Sequence, residues 1–195
     1  DTIDRSGVGD LASREIKLYK EEKNISLQSW IGEFMQCQIG EAPATSLRSL
    51  LELIHLRFTS PKVDEQEFEQ VQIELDAFLQ QQADPYWASN VAMNNMISGD
   101  EEYYRIFPSP SQIESFNSQK ALRIYEDRFN GADGLVVVIT GDIPIRDDVE
   151  ELSETYIATL PLGISEQLGE QPLLPSGILT EYVTSGENQA SSGFD

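Results

Sequence analysis

A single cysteine, Cys37, and a single histidine, His55, are the only soft metal ligands in this 195-residue sequence. One thiol closes no internal disulfide, and one thiol with one imidazole falls short of the three or four N, S or carboxylate ligands that zinc takes. Basic residues are also scarce. Thirteen Lys and Arg stand against 34 Asp and Glu, and the net charge of −21 repels phosphate backbones and anionic lipid headgroups. Nucleic acid and membrane surfaces are therefore poor partners. The acidity reads as solvated helix faces, with attraction of cationic peptides as its functional counterpart. No apolar run approaches the ~20 residues of a membrane span. The sequence opens Asp1-Thr2-Ile3-Asp4, without a start methionine or a basic leader, as expected of a piece of a longer polypeptide. What is present is ordinary: 39% hydrophobic and 24% charged residues, enough for one sizeable core or two small ones.

The stretch Gly134-Leu135-Val136-Val137-Val138-Ile139-Thr140-Gly141-Asp142 is the only continuous β-branched run, and glycines punctuate both ends. It predicts a strand buried on both faces, covered by helices over residues 113–129 and 145–160. Upstream, Leu11, Glu15, Leu18 and Tyr19 follow helical spacing with Asp10 placed as N-cap, and residues 25–39 switch to period two, which predicts a hairpin. Leu47, Leu50, Leu51, Ile54 and Phe58 repeat at helical intervals after Thr45 or Ser46 and stop before Ser60-Pro61. A second helix opens at Asp64-Glu65-Gln66-Glu67 with Phe68, Val71, Leu75, Phe78 and Leu79 as its buried stripe. The polar tail Gln80 to Pro85 marks a boundary near residues 83–86. A further helix runs from Trp87 to Ile97, Ser109 or Ser111 caps the next one, and a weak strand is expected at residues 178–184 beyond a polar linker.

Catalytic chemistry is hard to place on this pattern. The turn after the β-branched run, Gly141-Asp142-Ile143-Pro144, holds neither a serine nucleophile nor a phosphate cradle. A zinc helix of the H-x-x-E-H type needs two histidines, and His55-Leu56-Arg57-Phe58-Thr59 supplies one. His55 therefore reads as a half-buried structural imidazole and Cys37 as a small packed hydrophobe. Glu74 reads as a surface carboxylate, and Trp30 and Trp87 as core or interface anchors.

The succession of elements resembles the insulinase (pitrilysin) family of zinc metallopeptidases over most of the chain. Three stretches carry the resemblance: Gly40 to Phe68, with Leu50-Leu51-Glu52-Leu53-Ile54-His55-Leu56-Arg57-Phe58-Thr59-Ser60-Pro61 at its centre; Tyr125 to Phe129 together with Val136 to Asp142; and Leu152 to Pro161. The first is similar to a segment of the second, non-catalytic half of long bacterial members. The resemblance implies an α+β fold of partial metallopeptidase-like repeats, with a mixed sheet and packed helices. Residues 1–84 would be the end of one repeat (helix, hairpin, two helices) and residues 85–195 the start of the next (two helices, strand, helix, linker, weak strand). It also implies a non-catalytic, substrate-enclosing portion of a zinc-dependent metalloendopeptidase. Its partners would be a peptide substrate and the catalytic half of the same polypeptide, with the periplasm as compartment. Zinc would reside in that catalytic half. Glu74 roughly matches the position of the family's downstream zinc glutamate but has no histidines to join. No catalytic, cofactor-binding or metal residue carries over, and this portion would be inactive by itself. The alternative is a peptide-binding or scaffold protein of the same fold without peptidase activity. Which applies depends on whether the complete polypeptide keeps H-x-x-E-H.

Overall fold

A computed structural model of the chain describes residues 2–32, 35–81, 85–98, 108–142 and 146–164, together with positions 177 and 180. The fold is α+β. Its helices are α1 (Thr2–Arg5), α2 (Ser13–Lys23), α3 (Leu47–Thr59), α4 (Glu65–Gln81), α5 (Pro85–Ser98), α6 (Pro110–Ser115), α7 (Ser118–Arg128) and α8 (Arg146–Tyr156). Strands β1 (Ser26–Ile31) and β2 (Gln36–Glu41) form an antiparallel hairpin, and a short 3-10 turn, Ala44–Ser46, leads into α3. By packing, residues 1–69 and 117–168 make one compact unit, and residues 70–116 with 169–195 another. The repeat boundary expected near residues 83–86 falls partly on residues 82–84, which lie outside the described set, as does most of the weak strand expected at 178–184.

Local chemistry explains most of the element ends. Asp64 opens α4 as expected, its Oδ1 accepting the amides of Gln66 at 2.9 Å and Glu67 at 3.4 Å. Helix α2 starts two residues later than the spacing of Leu11 and Leu18 implies. Ala12, not Asp10, is its N-cap, and Glu15 reaches back to accept the Ala12 amide at 2.8 Å. The single helix expected over residues 113–129 is two. Ser109 caps α6 and Asn117 caps α7, and Phe116 and Asn117 are extended between them. A side chain that captures the Lys120 amide at 2.8 Å starts a new helix more cheaply than it continues an old one.

In the first unit, one core joins Val8, Ile16, Ile25, Leu27, Leu50 and Leu53, so the hairpin and α2 pack on α3 through side chains from four segments. Each such burial is worth roughly 1.5–3 kcal/mol. Gly40 on β2 makes the approach possible, because a Cβ there would sit 2.6 Å from Leu50. A second cluster joins Ile3, Tyr125 and Phe129, with Phe58, Val63 and Leu122 against it.

The β-branched run departs most from expectation. Residues 135–140 form neither helix nor strand, and the sheet they were expected to sit in is represented among the described residues only by β1 and β2. Val136 is 82% exposed and Val138 78%. A strand covered on both faces needs neighbours to complete its ladder. Among the described residues no backbone hydrogen bond is made by positions 136–142.

Candidate functional site

The hairpin has two chemically different faces. Leu27, Ser29 and Gln38 point toward the body of the unit, while Trp30, Cys37 and Ile39 share the opposite face with Gln28. Trp30 is 51% exposed and Ile39 60%, so the tryptophan is not a core anchor. Its indole lies across Gly32, where an added Cβ would come within 2.1 Å of the ring. Cys37 is half-buried opposite Trp30 and forms no disulfide.

Beneath the inner face lies a polar cluster that composition alone does not announce. Arg57 on α3 is 1% exposed. Its guanidinium donates to the Ile3 carbonyl, to the Asp4 carbonyl at 2.8 Å and to Asp4 Oδ1 at 3.3 Å. The Asp4 carboxylate in turn accepts the Ser29 amide at 3.1 Å, which ties α1 to β1. The Tyr125 hydroxyl accepts from Gln38 Nε2 at 3.0 Å and lies 3.4 Å from Ser29 Oγ. Gln38 Oε1 is buried without a partner among the described residues. Lys20 nearby is pushed below its usual range by burial and then by the Arg57 charge, against the pull of Asp4.

Burial pushes the Tyr125 phenol above its ordinary 10.0, with Asp4 adding to the effect, while the hydrogen bonds of Ser29 and Gln38 and the Arg57 charge oppose it. A phenol whose folded value is raised contributes stability that is complete below the unfolded value and is lost as pH climbs through the folded one. Tyr125→Phe is expected to lose less stability than the parent as pH rises above about 10, the ordinary phenol value. Lys20 shifts the opposite way and titrates in both proteins, so the difference between the two curves isolates the phenol. Chemical denaturation across that range reads the difference, and parallel curves would show that Tyr125 is not held neutral.

His55 sits beside the apolar stripe of α3, as expected of a structural imidazole. Its Nδ1 lies 2.7 Å from the carbonyl of Tyr156, at the end of α8. A carbonyl only accepts, so Nδ1 carries the proton, and the two rings meet edge to face at 6.3 Å. The histidine is thus a clasp between α3 and α8. Glu74 is exposed on α4, and Trp87 meets Phe78 edge to face at 5.9 Å in the second unit. His55 and Cys37 stay on separate elements. Among the described residues no group of three or more His, Cys, Asp or Glu side chains is placed to hold a metal ion. No helix among them is long and apolar enough to cross a membrane.

Among the described residues the arrangement pairs a hydroxyl with a carboxylate at Ser13–Asp64, 3.2 Å, and Ser118–Glu65, 2.6 Å, and no histidine or cysteine joins either pair. Among them the outer hairpin face and residues 135–138 also expose apolar side chains. Sequence reading missed Arg57 and Asp4. The available signal was that Arg57 falls on the row Leu50, Leu53, Arg57, the buried row of α3.

No profile of a known protein family matches the sequence, and no curated protein matches it. Solved structures do resemble the fold. The periplasmic protease PqqL from Escherichia coli superposes with a TM-score of 0.72 at 20% identity, over 89% of this chain and 19% of that one. The ferredoxin protease FusC, solved as a variant in complex with Arabidopsis ferredoxin, gives 0.67 at 19% identity, over 90% of this chain and 19% of its own. The chain spans about a fifth of the length of the proteins it resembles. Its fold is similar to that of a part of each of these two proteases.

Proposed function

We propose that this chain is a non-catalytic, peptide-enclosing part of a zinc-dependent metalloendopeptidase of the insulinase type. The observation that carries the reading is the likeness to two proteases over about nine-tenths of the chain. The sequence supports the non-catalytic assignment, since a lone His55 makes H-x-x-E-H impossible within these residues. Zinc does not fit here: His55 and Cys37 fall short of a ligand set, and the carboxylates suit harder cations. The metal belongs to the catalytic half in this reading. The part described here supplies surface, and its acidity attracts cationic peptides.

Two measurements test the reading together. Calorimetry near neutral pH is expected to show no sub-micromolar zinc site, and a fluorogenic cationic peptide incubated with the chain and zinc is expected to bind and stay intact. Tight stoichiometric zinc binding lost in His55→Ala, or cleavage stopped by a chelator, would overturn the non-catalytic assignment. Failure of every cationic peptide to bind would overturn the peptide-enclosing role.

A further inference from the structure

The chain that follows α7 is held against the chain that leaves α8, main chain on main chain. The Ala132 amide donates to the Pro161 carbonyl at 2.8 Å, and the Asp133 amide to the Leu162 carbonyl at 2.7 Å. Gly131 approaches Gly163 so closely that a Cβ on Gly131 would come within 2.5 Å of the Pro161 carbonyl oxygen and of the Gly163 nitrogen. Asn130 completes this clasp with both ends of its carboxamide. Its Oδ1 accepts the Ile164 amide at 3.3 Å, and its Nδ2 donates to the Asp127 carbonyl at 3.0 Å. An amide only donates and a carbonyl only accepts, so these two partners fix which end of the carboxamide is the oxygen.

The same packing builds a reactive pair. In asparagine followed by glycine, the next backbone nitrogen reaches the side-chain carbonyl carbon with the least hindrance, and Asn130 is the only asparagine of the chain that glycine follows. A larger residue at 131 would be driven into residues 161 and 163, so the fold itself requires the neighbour that makes Asn130 labile. The Ile164 amide donates to the oxygen on which negative charge develops as the Gly131 nitrogen attacks.

We propose that Asn130 is a deamidation site whose conversion opens the clasp between residues 130–133 and 161–164. The Gly131 nitrogen gives up its proton and bonds to Asn130 Cγ, the Cγ–Nδ2 bond breaks, and Nδ2 leaves with that proton as ammonia. Water then opens the cyclic imide at either of its carbonyls. Residue 130 becomes an aspartate or an isoaspartate, one water being taken up for one ammonia released. Either product lacks the Nδ2 donor to the Asp127 carbonyl. Either also adds a carboxylate just past the C-terminus of α7, at the negative end of the helix dipole and between Asp127 and Asp133 in sequence. Isoaspartate further lengthens the main chain by a methylene where Gly131 meets Gly163. The proposal is independent of the peptide-enclosing reading.

The test holds the 195-residue chain at mildly alkaline pH, for the time in which a free peptide of residues 127–134 converts, and maps its asparagines by mass spectrometry. Asn130 is expected to convert ahead of Asn117, which serine follows, and of Asn24, which isoleucine follows. In parallel, Asn130→Asp is expected to speed hydrogen exchange of the Ala132 and Asp133 amides by about ten-fold, the worth of one lost hydrogen bond. The Ile25 amide, bonded to the Lys20 carbonyl at 2.8 Å, is expected to keep its rate. Asn130 left intact over that time, or converted after another asparagine, overturns the site. Unchanged exchange at Ala132 and Asp133 in Asn130→Asp overturns the opening of the clasp. Equal acceleration at Ile25 means that the whole unit loosens, and overturns it as well.

Discussion

Replacing Arg57 with methionine is expected to destabilise the first unit by about 3–5 kcal/mol, the cost of breaking a buried ion pair by removing one partner. The guanidinium serves the Ile3 carbonyl, the Asp4 carbonyl and the Asp4 carboxylate at once. Methionine fills a similar volume and takes the arginine donor away from two main-chain carbonyls and from a largely covered carboxylate that keeps only the Ser29 amide. The loss is a large share of the ~5–15 kcal/mol by which a domain is stable. At about 2–4 °C per kcal/mol for a chain of this size, the melting temperature falls by roughly 6–20 °C. Arg57→Lys is expected to recover only part of it, because a point charge cannot bridge two carbonyls and a carboxylate as a planar fork does. Thermal or urea denaturation followed by circular dichroism measures both. A loss below about 1 kcal/mol in Arg57→Met would show that α1 is not held through this residue.

The arginine also shows where sequence reading reaches its limit. The apolar spacing of Leu47, Leu50, Leu51, Ile54 and Phe58 located α3 and its end before Ser60-Pro61, because periodicity and a proline act locally. The same spacing put the buried face slightly off. The structure buries Leu50, Leu51, Leu53 and Arg57, and an arginine inside a core row becomes intelligible only once Asp4, 53 positions away, is seen to meet it. The hairpin and α4 were legible for the same local reason that α3 was. The break at Phe116 and Asn117 was not, since Asn117 competes for a helix start inside a stretch whose apolar spacing looks continuous.

Chemistry was legible mostly through what could be counted. One histidine rules out a two-histidine zinc helix without any coordinates. The clasp that His55 makes to the end of α8 spans 101 positions and needed the fold to reveal it. The run at 134–142 is the opposite case. Its composition states a preference for a covered ladder, but a preference for burial does not supply the neighbours that bury it. Whether such a run is covered depends on strands elsewhere, and among the described residues neither hairpin strand pairs with it.

That distinction gives two substitutions whose order the sequence alone would misjudge. Phe129 closes α7, and its ring is held edge to face by Phe58 at 5.7 Å and tilted against Tyr125 at 4.6 Å. It is buried with Ile3 in the second cluster. Phe129→Ala is expected to cost about 3–5 kcal/mol, the transfer of a buried ring to water plus the cavity left behind. Val138 lies in the most hydrophobic stretch of the chain, yet it already meets solvent over 78% of its surface. Val138→Ala is therefore expected to change stability by no more than about 0.5 kcal/mol. Melting temperatures measured side by side should separate the two by roughly 5–20 °C at about 2–4 °C per kcal/mol. If Val138→Ala costs as much as Phe129→Ala, the run is packed within the chain in solution.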